Sequence, residues 1–314
     1  MYFKFENKMS FDPVEDTKKL IDFIKGNNKN DDELIKLVTS RTNKERLKIK
    51  EEYNSIQNSD LIADLQSAYF GHFKDTLMGL FYSPLDYDCY QIRKAVKGLG
   101  TDEEALIEIL STRTSEKIGQ MKLRYKEMFP GRDMVEDIKN DTSGSFWKVL
   151  KALLENKRSL TVVPDEAECE ICAQKLYDAG IYKKDTLEIF TQILTQKSKE
   201  EIMSIGKAYS KISQNNIIED IKHFFSGDTK KLFIGIIFGL VNPPEYFSEL
   251  VHHSVEGLGT KDTTLIRIMI TRDEIDMQQI KQFYKHKYNK DMIDDIKDDT
   301  SGSYRRILVA LATH

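Results

Sequence analysis

Lys97-Gly98-Leu99-Gly100-Thr101-Asp102-Glu103-Glu104, followed about forty residues later by Asp141-Thr142-Ser143-Gly144-Ser145, returns as Gly257-Leu258-Gly259-Thr260 followed by Asp299-Thr300-Ser301-Gly302-Ser303. A glycine loop and a distant acid therefore recur as a pair. Glycines permit backbone conformations closed to other residues, so successive carbonyls can turn outward. Joined by one carboxylate, such a loop makes an all-oxygen site for a hard cation such as Ca2+. Three carbonyls, two oxygens of one aspartate and a few waters would fill the six to eight positions that calcium takes. With a single carboxylate the site is weak alone, at the weak end of the roughly 10⁻⁴–10⁻³ M range of extracellular calcium modules, unless lipid phosphate replaces the waters.

Working outward, an aspartate and a glycine recur seven residues apart as Asp64/Gly71, Asp137/Gly144, Asp220/Gly227 and Asp295/Gly302. Successive glycines lie 73, 83 and 75 residues apart, a period far longer than that of short helical solenoids. The chain thus divides into an N-terminal arm (1–10), repeat 1 (11–82), repeat 2 (83–154), a linker (155–165), repeat 3 (166–241) and repeat 4 (242–314). The linker, rich in charge and carrying Ser159, Thr161 and Pro164, reads as a joint between two halves.

Within a unit the pattern is helical. Ala105, Leu106, Ile109 and Leu110 share a face, as do Leu265, Ile266, Ile268 and Met269, and strand alternation is scarce. Thr101 with Glu104 has the form of a capping box, which predicts that the glycine loop ends where a helix begins. The fold class expected is all-α.

Repeats 1 and 3 act as internal controls. Their loop positions read Gly26-Asn27-Asn28-Lys29 and Tyr182-Lys183-Lys184-Asp185, and their acid positions hold Ala68 and Phe224. Loop and acid are lost together. A turn and a helix cap have no reason to disappear as a pair, whereas two halves of one ion site do.

The chain resembles the annexin family from about Phe11 to His314. The signature, a Lys-Gly-x-Gly-Thr loop, an amphipathic helix ending in arginine and an acid about forty residues on, stands here as Lys97 to Thr101, Arg113 and Asp141. The resemblance implies four five-helix repeats arranged as a slightly curved disc with calcium loops on its convex face. It implies as calcium ligands the carbonyls of Val96, Gly98 and Gly100 with Asp141, and of Val255, Gly257 and Gly259 with Asp299. It also implies secondary sites at Thr101 with Glu103 and at Thr260 with Asp262, although acids in a first helical turn are equally explained by the helix dipole. Leu99 and Leu258 would touch the acyl–headgroup boundary and Lys97 would meet phosphate. Glu256 stands where repeat 2 has Lys97, which puts lipid binding at the fourth loop in question.

The function expected is calcium-dependent binding to anionic phospholipid membranes, organising or linking them without chemistry. The alternative is a calcium-modulated scaffold holding a cytoskeletal or small dimeric partner. The arm Met1-Tyr2-Phe3-Lys4-Phe5 either docks on the protein's own core, the preferred reading, or binds that partner. In solution a monomer is expected, with assembly reserved for the membrane.

Bulk properties exclude other classes. At 314 residues and 40% hydrophobic content the chain can bury a sizeable core, and a net charge of −4 gives no basic field for nucleic acid. Basic stretches such as Lys44-Glu45-Arg46-Leu47-Lys48-Ile49-Lys50 read as a solvated helix face. Three cysteines are too few for a disulfide framework, and Cys169 and Cys172 read as helical with no second ligand pair. The longest apolar run, Leu232 to Val241, is too short to span a bilayer, and no signal peptide is evident, so the expected location is the cytoplasm. No nucleophile motif, phosphate loop or EF-hand order appears, so no enzyme is expected. Arg41, Arg113 and Arg272, with Lys197 in repeat 3, occupy one repeat position and read as structural; Phe146, Trp147 and Tyr304 read as core.

Overall fold

The structure, a computed structural model, describes residues 11–155, 157–257 and 259–313. Among them all regular elements are helical. Repeat 1 supplies α1 (Pro13–Ile24), α2 (Asp31–Thr39), α3 (Asn43–Gln57), α4 (Leu61–Ala68) and α5 (Gly71–Leu80). Repeat 2 supplies α6 (Pro84–Ala95), α7 (Glu103–Thr112), α8 (Ser115–Met128), α9 (Met134–Asp141) and α10 (Gly144–Leu154). Repeat 3 follows with α11 (Glu166–Tyr182), α12 (Thr186–Gln196), α13 (Lys199–Ile212), α14 (Ile217–Phe224) and α15 (Gly227–Val241). Repeat 4 ends the chain with α16 (Pro243–Val255), α17 (Asp262–Arg272), α18 (Met277–Tyr288), α19 (Met292–Asp299) and α20 (Gly302–Ala312).

The recurrent aspartate has one task in every repeat. Tyr53, Tyr125, Tyr209 and Tyr284, each on the third helix of its repeat, donate to Asp64, Asp137, Asp220 and Asp295 at 2.9, 2.8, 2.7 and 2.6 Å. The ring is buried and its hydroxyl is satisfied by a carboxylate on the fourth helix, so this bond fixes the spacing between the two. Burial first, and then the carboxylate, raise the pKa of all four phenols above the ordinary tyrosine value. The recurrent glycines that open α5, α10, α15 and α20 all have φ between 56° and 61°.

The chain folds as two compact units that do not follow the two halves on either side of the linker. One takes residues up to 84 together with those from 247 on; the other takes 85–246, so 155–165 lies inside one unit. Each has its own apolar core.

In the first unit α2 packs against α20, where Arg306 pairs with Asp32 at 2.9 Å. Arg46 is 2% exposed, which corrects the reading of Lys44 to Lys50 as a solvated face. Its guanidinium donates to the carbonyls of Leu80 (3.1 Å), Val38 (3.1 Å) and Arg41 (2.5 Å) and to Glu274 of repeat 4 (3.0 Å). The charge is tolerated inside because each guanidinium nitrogen finds an oxygen.

In the second unit α7 packs on α15, and the apolar run from Leu232 to Val241 lies on this buried helix. Gly235 and Gly239 make the approach close: a Cβ on Gly239 would lie 2.9 Å from Thr112. No described helix is long and apolar enough to cross a membrane. Cys169 and Cys172 are buried on α11, and burial pushes both thiols up.

The basic residues at the common repeat position bind acids of the fold. Arg41 pairs with Asp16 at 2.6 Å and Arg113 with Asp88 at 2.8 Å, both on the first helix of their repeat. In repeat 4 that first-helix position holds Phe247; Arg272 stacks over its ring at 4.4 Å and pairs with Asp276 at 2.5 Å. Lys197 pairs with Glu168 and Glu201 at 2.5 and 3.1 Å. Phe146, Trp147 and Tyr304 are only partly buried, packing against the cores from their edges.

Candidate calcium centre

In repeat 2 the chain leaves α6 through Val96, which is buried and anchors the loop, and then emerges. Lys97 is exposed and Leu99 is fully so, at 108%. Gly98 and Gly100 have φ of 118° and 87°, in the region that side-chain-bearing residues rarely adopt. The loop closes where Asp102 N–H donates to Ala95 C=O at 2.9 Å.

The expected capping box is absent. Asp102 is the N-cap of α7 and its side chain accepts from Ala105 N–H at 3.0 Å, because the helix begins one residue later than the Thr101–Glu104 spacing requires. Glu104 pairs instead with Lys231 at 3.7 Å. Thr101 is thereby free for another task. Its hydroxyl reaches Asp141, the last residue of α9, contacting both the backbone oxygen and Oδ2 at 2.8 Å.

Repeat 4 builds the same arrangement. The loop follows Val255 at the end of α16, Gly257 and Gly259 have φ of 104° and 86°, and Lys261 N–H donates to Ser254 C=O at 2.8 Å. Thr260 Oγ1 lies 2.9 Å from Asp299 O and 2.5 Å from its Oδ2. Glu256, exposed, sits 3.5 Å from both His252 and His253. Leu258 lies outside the described residues.

These two threonine bridges join loop and acid across about forty residues, and sequence spacing alone did not show them. The available signal was that threonine recurs directly after the second glycine in both loops. Of the secondary-site acids, Glu103 opens α7 without a described ion pair, while Asp262 opens α17 with its Oδ2 3.2 Å from His72 Nε2.

The other two repeats lack the bridge. In the loop of repeat 1 only Gly26 has positive φ; Asn27 and Asn28 N–H groups fold back onto Asp22 C=O, and the Asn28 amide binds Glu33 at 2.9 Å. Repeat 3 keeps two left-handed residues, Lys183 at φ 54° and Asp185 at φ 52°, without glycine. Its threonine, Thr186, donates to Ala179 C=O at 2.6 Å, and the acid position is filled by Phe224, whose ring stacks edge-on with Phe190.

The donors in repeats 2 and 4 suit a hard divalent cation. Among the described residues no hydrogen bond is accepted by the carbonyls of Val96, Gly98 and Gly100 or of Val255, Gly257 and Gly259, and Oδ1 of Asp141 and of Asp299 is equally uncommitted. No cluster of three or more acids, histidines or cysteines that could hold a metal occurs among the described residues. The candidate site is therefore one of carbonyls and a single carboxylate, unsuited to the softer metals that prefer thiolate or imidazole.

The annexin family model matches four times, at residues 15–80, 87–153, 172–236 and 246–311. Annexin A6 of Rattus norvegicus is 39% identical over 303 residues, covering 96% of this chain but 45% of that protein, so the chain spans about half the length of this relative. Annexin A13 of Homo sapiens is 37% identical over 309 residues, 98% of both chains. Among solved structures, annexin III superposes with a TM-score of 0.92 at 34% identity, covering 98% of this chain and 95% of the other. Four matched repeats on an all-helical scaffold, with near-full-length relatives, place this chain in the annexin family.

Proposed function

We propose that the chain binds anionic phospholipid through two calcium ions, one held by Val96, Gly98, Gly100 and Asp141 and the other by Val255, Gly257, Gly259 and Asp299. The observation that carries this reading is the threonine bridge, present in both repeats with a complete loop and acid and absent from the two without. Calcium supplies the positive charge that lets lipid phosphate approach a carbonyl-lined loop; the chain's own residues hold and orient the oxygens. Leu99 projects far enough to reach the acyl–headgroup boundary, and Lys97 adds attraction for phosphate. Leu258 would do the same in repeat 4, where Glu256 opposes phosphate and weakens the contact. Calcium and membrane each strengthen binding of the other, because coupling between ligands is reciprocal. Solved relatives include a calcium-bound annexin at 29% identity, which agrees with the donor set here. The reading places the protein in the cytoplasm, monomeric until it meets a membrane, without enzymatic chemistry.

Co-sedimentation with phosphatidylserine vesicles across a calcium titration tests it. The natural chain pellets as calcium rises and is released by chelator; a chain that stays in the supernatant at millimolar calcium would sink the proposal.

The bridge has its own test. Groups that orient a metal-binding side chain typically contribute about 10–100-fold to metal affinity. Thr101→Val with Thr260→Val leaves both carboxylates present but unoriented, and is expected to raise the half-point calcium concentration for pelleting about tenfold. An unchanged half-point would mean that the hydroxyls only tie the loops to the helices.

A further inference from the structure

The loop of repeat 3 has lost its acid yet keeps the left-handed pair Lys183 and Asp185 at the positions of Gly98 and Gly100. It enters α12 as the repeat 2 loop enters α7. Both loops belong to the same compact unit, where α7 packs on α15 and α12 packs in the corresponding way on α10. What the loop displays differs from a calcium loop. Ile181 is 53% exposed and Tyr182 is 74% exposed, followed by the exposed Lys183 and Lys184. Neither ammonium makes a hydrogen bond or ion pair among the described residues, whereas many surface lysines here are paired within a few residues. Asp185 and Glu188 follow, but they lie at the N-terminal turn of α12, whose positive end offsets them.

We infer that this loop is a calcium-independent contact for anionic lipid headgroups. The two lysines bring the positive charge that a calcium ion would bring to repeat 2, while Tyr182 and Ile181 supply the amphipathic body that settles at a membrane interface. The inference rests on the membrane reading above, since it takes the repeat 2 and repeat 3 loops of one unit to face one surface. It gives that unit one contact gated by calcium and one that is not. The second contact is too weak to hold the protein on a membrane alone, but it raises the effective concentration of the first.

The test uses the full chain beside Lys183→Ser with Lys184→Ser, and Lys183→Glu with Lys184→Glu. Calcium titrations are run on phosphatidylcholine vesicles with and without phosphatidylserine, at low and high salt. Each lysine near an anionic surface contributes enough that losing both is expected to weaken binding roughly tenfold or more at subsaturating calcium. The half-point calcium concentration therefore rises, further for the glutamate pair than for the serine pair, and the difference shrinks at high salt. Thermal midpoints stay those of the natural chain, which separates the effect from unfolding. Half-points that coincide for all three chains on phosphatidylserine would overturn the inference while leaving the calcium sites standing. A natural chain that never pellets would overturn both.

Discussion

A chain carrying Asp141→Ala and Asp299→Ala is expected to remain in the supernatant at calcium concentrations that carry the natural annexin onto phosphatidylserine vesicles. Each aspartate is the sole formal negative charge among the proposed ligands of its site. Charge count is what sets affinity in oxygen-donor calcium sites. Removing a ligand outright does more than loosening one, so the half-point should rise by at least about a hundredfold, above the effect expected of the threonine variants. The fold should tolerate the change. Asp141 and Asp299 are half-buried last residues of short helices, and each substitution gives up one charge-assisted hydrogen bond of about 1.5–3 kcal/mol. Unaltered helicity with calcium-dependent pelleting retained would show that lipid binding does not pass through these two loops.

Replacing Arg46 by alanine is expected to be the most damaging single change among those considered, and to act on stability alone. Three backbone carbonyls would lose their donor in a place where water cannot substitute, and Glu274 would lose its partner nearer the surface. Leaving a buried acceptor without its donor typically costs about 1–3 kcal/mol, and three carbonyls are stranded here. Glu274 is 43% exposed, so most of the loss comes from the carbonyls rather than from the ion pair. For a unit of this size the melting transition should fall by roughly 10 °C. Lysine at the same position recovers only part of this, because one ammonium cannot reach donors spread over Val38, Arg41 and Leu80. Calorimetry on the two variants decides it, and a shift of a degree or two would mean that the carbonyls find other partners.

The all-helical fold and its fourfold repeat were legible in the spacing of Asp64/Gly71 and its three echoes, because local apolar periodicity and a fixed interval need no tertiary information. The task of those aspartates was not legible, since a tyrosine eleven or twelve residues upstream looks like any core aromatic. Arg46 was misread for a related reason: its neighbours Lys44 and Lys48 do face solvent, and only the path of distant Leu80 and Glu274 makes the position between them a buried one. The pairing of the first repeat with the last in one compact unit is likewise a property of contacts between chain ends. At the candidate sites, the loops and acids stood out as recurring pairs. The threonine hydroxyl was assigned to a helix cap because a capping box is read from four consecutive residues, whereas its actual acceptor lies about forty away.

Phe224 is not merely an absent carboxylate. Its ring lies against Gly180, where an added Cβ would come within 2.2 Å of it, and edge-on to Phe190. Reintroducing aspartate there would strip an aromatic contact and open a gap over Gly180 while Lys183 and Lys184 still occupy the loop. Swapping Lys183 and Asp185 for glycines alone would leave a pliant loop with Phe224 still filling the acid position. Neither route is downhill in single steps, so repeat 3 is held in its present form by packing, and rebuilding an ion site in it is a problem of simultaneous rather than successive substitution.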